Sequence, residues 1–326
     1  MSIKCNGAFE GGGVKGIGLV GAISVFENNN YEFINIVGTS AGAIIGALLA
    51  VGYNTMEITK IMGSLNYLKF KQPSFLSKFG IIGKTLNIGL DFGIYNADYF
   101  EEWLNELLIK KGKVKFKDIK RNILKPEEHK YKLYVTASDL TNNRLLILPD
   151  DLKLFGLNPD EFSIAKAVRM SMSIPIFYEP FKLIDNYGNT HLIVDGGLLS
   201  NYPVWVLDNG KKETLIPTFG FKFVSDSTKL TKEIYDVNII EYLKMIITTT
   251  LDAYDKEYIS ISKGDFARTV PISTMVYLKG QKKDISATNF AISKTESKEL
   301  YKNGIYAAHK FLANWDFNEW KKKYRS

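Results

Sequence analysis

The chain of 326 residues has one cysteine, Cys5, and three histidines, His129, His191 and His309. A single cysteine forms no disulfide within the chain and supports no metal site built on paired thiolates. Any histidine-dependent charge relay is confined to those three positions. The nine prolines are scattered. No Pro/Ser-rich linker, low-complexity tract or repeat breaks the sequence, so a single domain over residues 1–326 is expected. Long hydrophobic runs are also scarce. Ile36–Gly52 alone approaches membrane length, and its Gly-Thr-Ser start fits a strand, a turn and a helix better than a span. Lys4, Asn6 and Glu10 interrupt the first residues before a secretory core can form, so a cytoplasmic, soluble protein is expected.

Hydrophobic residues make up 45% of the chain, enough for a full core. The net charge is +7, from 42 Lys+Arg against 35 Asp+Glu. That balance suits an anionic partner. The basic residues are dispersed apart from Lys321-Lys322-Lys323-Tyr324-Arg325, and no nucleic-acid recognition motif is present. Nucleic acid is therefore not expected as a partner. Peripheral binding to anionic membranes is compatible with the charge, although an ordinary solvated surface accounts for most of the lysines.

The pattern of elements is that of an α/β protein. Ile3–Phe9 reads as a strand, Gly13–Asn28 as a helix with one apolar face, Ile34–Val37 as a second strand and Gly42–Val51 as a buried helix. This order predicts parallel strands. Residues 63–100 mix aromatics with glycine and lysine, which fits a packed connection or a lid. Asp98–Lys111 reads as a helix with Asp98 as a candidate N-cap. Lys132–Ala137 and Arg144–Leu148 read as strands around a turn at Asp139. Ser163–Ser171 reads as a helix stopped before Pro175. Leu192–Val194 is a strand, followed by a strand near Leu215–Val224 and helices near Ile239–Lys256 and over Ser297–Asn314.

Three glycine-bearing motifs begin where predicted strands end. Gly38-Thr39-Ser40-Ala41-Gly42 lies between the second strand and the buried helix. Small neighbours let the backbone bend sharply, and the serine hydroxyl stands out at a helix N-terminus, as in a nucleophile elbow. Gly11-Gly12-Gly13-Val14-Lys15-Gly16 follows the first strand, and Asp195-Gly196-Gly197 follows Leu192–Val194. In a parallel sheet all three share the carboxyl edge, where open α/β folds place their sites. Together they supply a nucleophile, Ser40; a proton acceptor, Asp195; and backbone donors for an oxyanion at Gly11, Gly12 and Gly13, with the Ala41 N–H as a helper. A carboxylate is a weak base, so the site must raise its basicity by excluding water. Gly196 and Gly197 allow the turn that aims it. Asp139 is a rival base at another strand end, with neighbours that suit a hairpin.

The order Gly-Gly-Gly-x-Lys-Gly, Gly-x-Ser-x-Gly and Asp-Gly-Gly resembles the patatin-like phospholipase family. Ala167–Pro175 is similar to the family's segment before the last catalytic strand, and Asn201-Tyr202-Pro203 follows the aspartate motif as in the family. The resemblance covers about residues 5–207 by motif order. Asn289-Phe290 and Gly304–Trp315 look like the C-terminal part of bacterial members, which makes 208–326 part of the same fold. The resemblance implies a three-layer α/β/α fold with a largely parallel central sheet. It also implies a lipid acyl hydrolase working through a Ser40–Asp195 dyad on membrane or micellar lipid esters, with no metal and no cofactor. Lys15 stands where the family carries Arg or Lys and is read as drawing anionic lipid or, the favoured reading, stabilising the loop, and Arg169 is a candidate brace through a buried ion pair.

Other readings of the same residues are open. Gly11–Gly16 also satisfies the dinucleotide-binding pattern G-x-G-x-x-G, but Glu32, near the spacing for a ribose ligand, precedes the second strand instead of closing it. Gly83-Lys84-Thr85 ends like a phosphate loop, yet Lys78 stands where its first glycine belongs. Ser163-Ile164-Ala165-Lys166 matches S-x-x-K without its companion motifs. Ser40, Asp195 and His309 follow the chain order of a Ser-His-Asp α/β-hydrolase, but position 40 is early for that elbow.

Overall fold

The computed structural model describes residues 2–70, 72–73, 92–122, 129–208, 215–225, 264–278 and 280–325, with isolated helical residues between 242 and 250. The first strands and helices are β1 (Ile3–Phe9), α1 (Gly16–Asn28), β2 (Tyr31–Gly38), α2 (Ala41–Val51) and α3 (Thr55–Ser64). The short strands β3 (Gln72–Pro73) and β4 (Gly93–Asn96) precede a helix at Asp98–Lys110. Next come β5 (Leu133–Asp139), β6 (Arg144–Leu148), a helix at Ile164–Met172, β7 (Ile176–Tyr178), β8 (Phe181–Ile184) and β9 (Thr190–Asp195). A short helix, Gly197–Ser200, leads towards β10 (Thr218–Val224), β11 (Thr269–Ser273), β12 (Met275–Leu278) and β13 (Gln281–Asp284). The chain ends with helices at Lys294–Leu312 and Phe317–Tyr324. None of the described helices is long and apolar enough to cross a membrane.

The main sheet has the order β11-β10-β1-β2-β5-β9-β8, with β6 also on β5. The ladders from β11 to β5 are parallel. Those joining β6, β8 and β9 are antiparallel. The expected α/β fold with a largely parallel sheet is therefore present, with one correction. Because β9 runs against β5, Asp195 does not leave the carboxyl end of a parallel strand. Strand direction follows from long-range pairing, which no local pattern encodes.

One face of the sheet carries an aromatic cluster. Phe26 of α1 meets Phe33, Phe219 and Phe221, and the long C-terminal helix adds Phe311. Residues from Gly16 to Phe26 are buried without a break, so α1 has no solvent face over that span where one apolar stripe is expected. The reason is a close helix pair. A Cβ on Gly21 would lie 2.1 Å from the Tyr301 carbonyl oxygen, and one on Gly304 would lie 2.0 Å from that of Gly18. The opposite face is covered by short elements. Val204–Leu207 forms a 3-10 turn across β1, β2 and β10, and the Tyr202 hydroxyl reaches Thr269 at 2.6 Å.

Boundaries shift where tertiary pairing extends a local signal. Strand β2 begins at Tyr31, opposite Ile3, and outruns the expected 34–37. Asp98 is the first helical residue, and Ala97 is the cap; the Asp98 N–H donates to Asn96 Oδ1 at 2.6 Å. Ser163 caps the helix at Ile164 by accepting the Lys166 N–H, which explains the Ser-x-x-Lys spacing without chemistry. In the segment expected as lid or packed connection, Phe70 packs on Tyr99, Phe100 and Trp103, while Phe75 and Phe79 lie outside the described residues. So does most of the helix expected near 239–256.

Candidate active site

Ser40 occupies the turn between β2 and α2 with φ 51° and ψ −118°. A non-glycine residue at positive φ is uncommon and costs roughly 1–3 kcal/mol, so it persists only where its surroundings hold it. They do so here from three sides. The Thr39 N–H donates to the Phe9 carbonyl at 3.1 Å. The Thr39 hydroxyl pairs with that of Thr136 at 2.6 Å and donates to the Ser200 carbonyl at 3.0 Å. The Ser40 N–H donates to the hydroxyl oxygen of Ser171 at 2.8 Å. Gly42 is required by close approach, because a Cβ there would sit 2.2 Å from the Phe9 carbonyl oxygen. Gly38 faces Gly42 across the turn in the same way, at 2.4 Å. The bend is thus packed backbone against backbone.

Asp195 reaches the elbow through register. Gly38 is the last residue of β2 paired with β5, opposite Val135. Strand β5 continues to Asp139, and the extra length pairs with β9, setting Asp195 opposite Ala137. The Asp195 N–H donates to the Ser173 carbonyl at 2.9 Å. Its Oδ1 accepts the Gly197 N–H at 2.7 Å, and the Ser40 hydroxyl hydrogen-bonds its side chain. The carboxyl is fully buried. Burial pushes its pKa up to about 7, against the downward pull of the Gly197 and Ser40 hydrogen bonds. The carboxylate is thereby a stronger base than any exposed aspartate. Gly196 lies against Thr136, where a Cβ would meet the hydroxyl at 2.3 Å.

The glycine loop leaves β1 beside the elbow. The Gly11 N–H donates to the Asn201 carbonyl at 3.0 Å. Among the described residues no acceptor faces the N–H groups of Gly12, Gly13 or Ala41. Gly13 has φ 53°, and a Cβ on it would lie 2.1 Å from the Ala287 carbonyl oxygen. That same carbonyl accepts the Val14 N–H at 3.0 Å. Gly12 rests on the Phe223 ring. Lys15 places its ammonium 4.9 Å from the same ring, while Gly16 opens α1. Glu10, just before the loop, is buried; it accepts from Lys222 at 2.8 Å and from the Phe223 N–H. Phe223 and Ala287 shape the loop from more than 200 residues away, and no local sequence signal marks them.

The rival candidates are engaged elsewhere. Asp139 closes its hairpin, accepting from the Thr141 N–H at 3.0 Å and from Arg144 at 3.1 Å. His129 contacts the Leu207 carbonyl, and burial lowers its pKa. His191 sits between Asn142 and Asp185 at 3.0 and 3.2 Å. His309 lies near the end of the long helix, exposed. Arg169 pairs with Asp98 at 3.0 Å and Glu101 at 3.8 Å, joining the helix at Ile164–Met172 to that at Asp98–Lys110.

The sequence model of the patatin-like phospholipase family matches residues 7–208. The chain belongs to that family. All three glycine motifs of this patatin-like chain lie inside the matched span, while Phe223 and Ala287 lie beyond it. The chain is 35% identical over 314 residues to the uncharacterized protein YqhO of Bacillus subtilis (strain 168), covering 96% of this chain and 99% of that protein. It is 26% identical over 198 residues to the probable lipid hydrolase 463L of invertebrate iridescent virus 6, covering 60% of each. Its fold is similar to that of VipD from Legionella pneumophila, with a TM-score of 0.53 and 16% identity over 96% of this chain and 67% of that one.

Proposed function

We propose that this patatin-like chain is a lipid acyl hydrolase acting through Ser40 and Asp195. The observation that carries the proposal is the hydrogen bond between the Ser40 hydroxyl and a buried carboxylate whose pKa is raised to about 7. Asp195 takes the Ser40 proton as the serine oxygen adds to the ester carbonyl. The negative charge that collects on the carbonyl oxygen is received by the N–H groups of Gly12 and Gly13, with Ala41 beside the nucleophile. Losing one such donor typically costs roughly 3 kcal/mol of transition-state stabilisation. Gly11, whose N–H already binds Asn201, anchors the loop. The Asp195 proton then passes to the leaving alcohol as the tetrahedral adduct collapses to the acyl-enzyme. A water molecule gives its proton to Asp195, attacks the acyl carbonyl and releases the fatty acid, and the proton returns to Ser40.

Family membership and the lipid hydrolase name of the viral relative support lipid esters, phospholipids among them, as substrates. The net charge of +7 favours anionic lipid surfaces over neutral ones. A fluorophosphonate probe tests the chemistry. It is expected to label Ser40, and Asp195→Asn is expected to lose both labelling and release of fatty acid from phospholipid vesicles. Labelling elsewhere, or full turnover in Ser40→Ala, would overturn the assignment.

A further inference from the structure

One segment touches both members of the dyad. Ser171, in the last turn of the helix at Ile164–Met172, accepts the Ser40 N–H on its hydroxyl oxygen at 2.8 Å. Two residues on, the Ser173 carbonyl accepts the Asp195 N–H at 2.9 Å. The Ser173 hydroxyl in turn donates to the Arg169 carbonyl at 2.8 Å, tying the segment back onto its helix. Ser171 and Ser173 are both fully buried, so no solvent substitutes for these contacts.

We propose that Ser171 is a positioning residue. By accepting the Ser40 N–H it fixes the peptide plane that aims the Ser40 hydroxyl at Asp195, while Ser173 fixes Asp195 from the same stretch of chain. The inference rests on the hydrolase reading above. The Ser40 carbonyl accepts the Ile44 N–H at 3.2 Å as the first bond of α2, but the Ser40 N–H has no carbonyl acceptor among the described residues. Its positive φ is a conformation that relaxes unless held. Removing the Ser171 oxygen leaves a buried donor without a partner beside that strained residue. Rotation of the peptide plane then carries the hydroxyl away from the carboxylate. Because the Ser40 hydrogen bond holds the Asp195 pKa down, its loss lets that pKa rise further.

The test compares Ser171→Ala, Ser171→Thr and Ser138→Ala in the full chain, each scaled to folded protein. Ser171→Ala is expected to slow fluorophosphonate labelling and kcat by roughly ten- to a hundredfold. KM should change little, and the acid limb of the pH–rate profile should move to higher pH. Ser171→Thr keeps an acceptor oxygen and is expected to recover most of the rate. Ser138 carries an equally buried hydroxyl with no partner among the described residues; its alanine variant is expected to match wild type. If Ser171→Ala fails to fold, Ser171→Cys, with a weaker acceptor, should show the same slowing and pH shift in smaller measure. A Ser171→Ala protein with a lower melting temperature but unchanged labelling rate, kcat and acid limb would overturn the inference and leave the hydrolase reading intact. So would a Ser171→Thr variant as slow as Ser171→Ala. A wild-type chain that takes up no label at Ser40 would overturn the hydrolase reading itself and this inference with it.

Discussion

Ala137 pairs with Asp195 just past the point where β5 outruns β2. Ser40 sits just past the end of a parallel strand, and Asp195 arrives on an antiparallel one. They meet because β5 is long enough to serve both neighbours. The spacing between Ser40 and Asp195 is therefore set by strand register, and slipping β9 by one residue would turn the carboxylate to the other face of the sheet.

Asp195 is expected to place stability and activity in opposition. Its pKa of about 7 in the fold lies above the ordinary 3.8, so the native chain binds more protons than the unfolded one between those values. Its contribution to stability is full below the unfolded pKa and is lost as pH rises through the folded one, on the order of 4 kcal/mol in all. Asp195→Asn should thus melt above wild type at pH 8, with the gap closing towards pH 4, while hydrolysis disappears. In wild type kcat/KM should fall as pH drops through about 7. Thermal scans across this range check the first point; equal melting temperatures at pH 8 would show that the carboxylate is not desolvated.

Gly12 and Phe223 form a pair open to a double-mutant cycle. A Cβ on Gly12 would lie 2.3 Å from the Phe223 ring. Gly12→Ala should displace the loop and lower kcat by roughly a hundredfold, the size seen when an oxyanion donor is lost. Adding Phe223→Leu makes room and should return part of that loss. Additive effects in the cycle would place the damage elsewhere. Gly13→Ala should not be rescued this way, because its obstacle is the Ala287 backbone.

The histidines should prove dispensable. His129, His191 and His309 are engaged away from Ser40 or exposed, and each glutamine variant should keep hydrolysis within about threefold of wild type, whereas removal of a true triad base costs orders of magnitude. Initial rates on one short-chain ester, with folding verified by circular dichroism, decide the matter. One histidine variant as inactive as Asp195→Asn would refute the dyad.

Arg268 carries a stability prediction unrelated to chemistry. It is 1% exposed, donates to Asp208 at 2.7 Å and to Asp265 at 2.8 Å, and stacks near Trp320. Arg268→Met would leave the buried Asp265 carboxylate without its cation, at an expected cost of roughly 3–5 kcal/mol. Urea denaturation measures it, and Asp265→Asn in the same chain should recover part of the loss.

The elbow was legible because its signals are local: a β-branched strand, a turn of small residues and an apolar helix. The Asp-Gly-Gly turn was legible too, but the direction of its strand was not, since direction depends on which neighbour β9 finds. Phe223 and Ala287 left no trace, because each meets the glycine loop only after the chain has crossed the sheet. Ser171 lies in Ala167–Pro175, the segment similar to the family's, and its pairing with Ser173 is the available signal. What they bind became visible only with the elbow folded beside them.

The backbone contact between α1 and the helix at Lys294–Leu312 bears on how this gene can be divided. A clone cut where the family match stops, at residue 208, would keep every motif residue and would discard the helix on which Gly18 and Gly21 rest. It would also remove the Ala287 carbonyl from the mouth of the glycine loop. The expected product is an insoluble fragment with a complete set of signature residues and no working site.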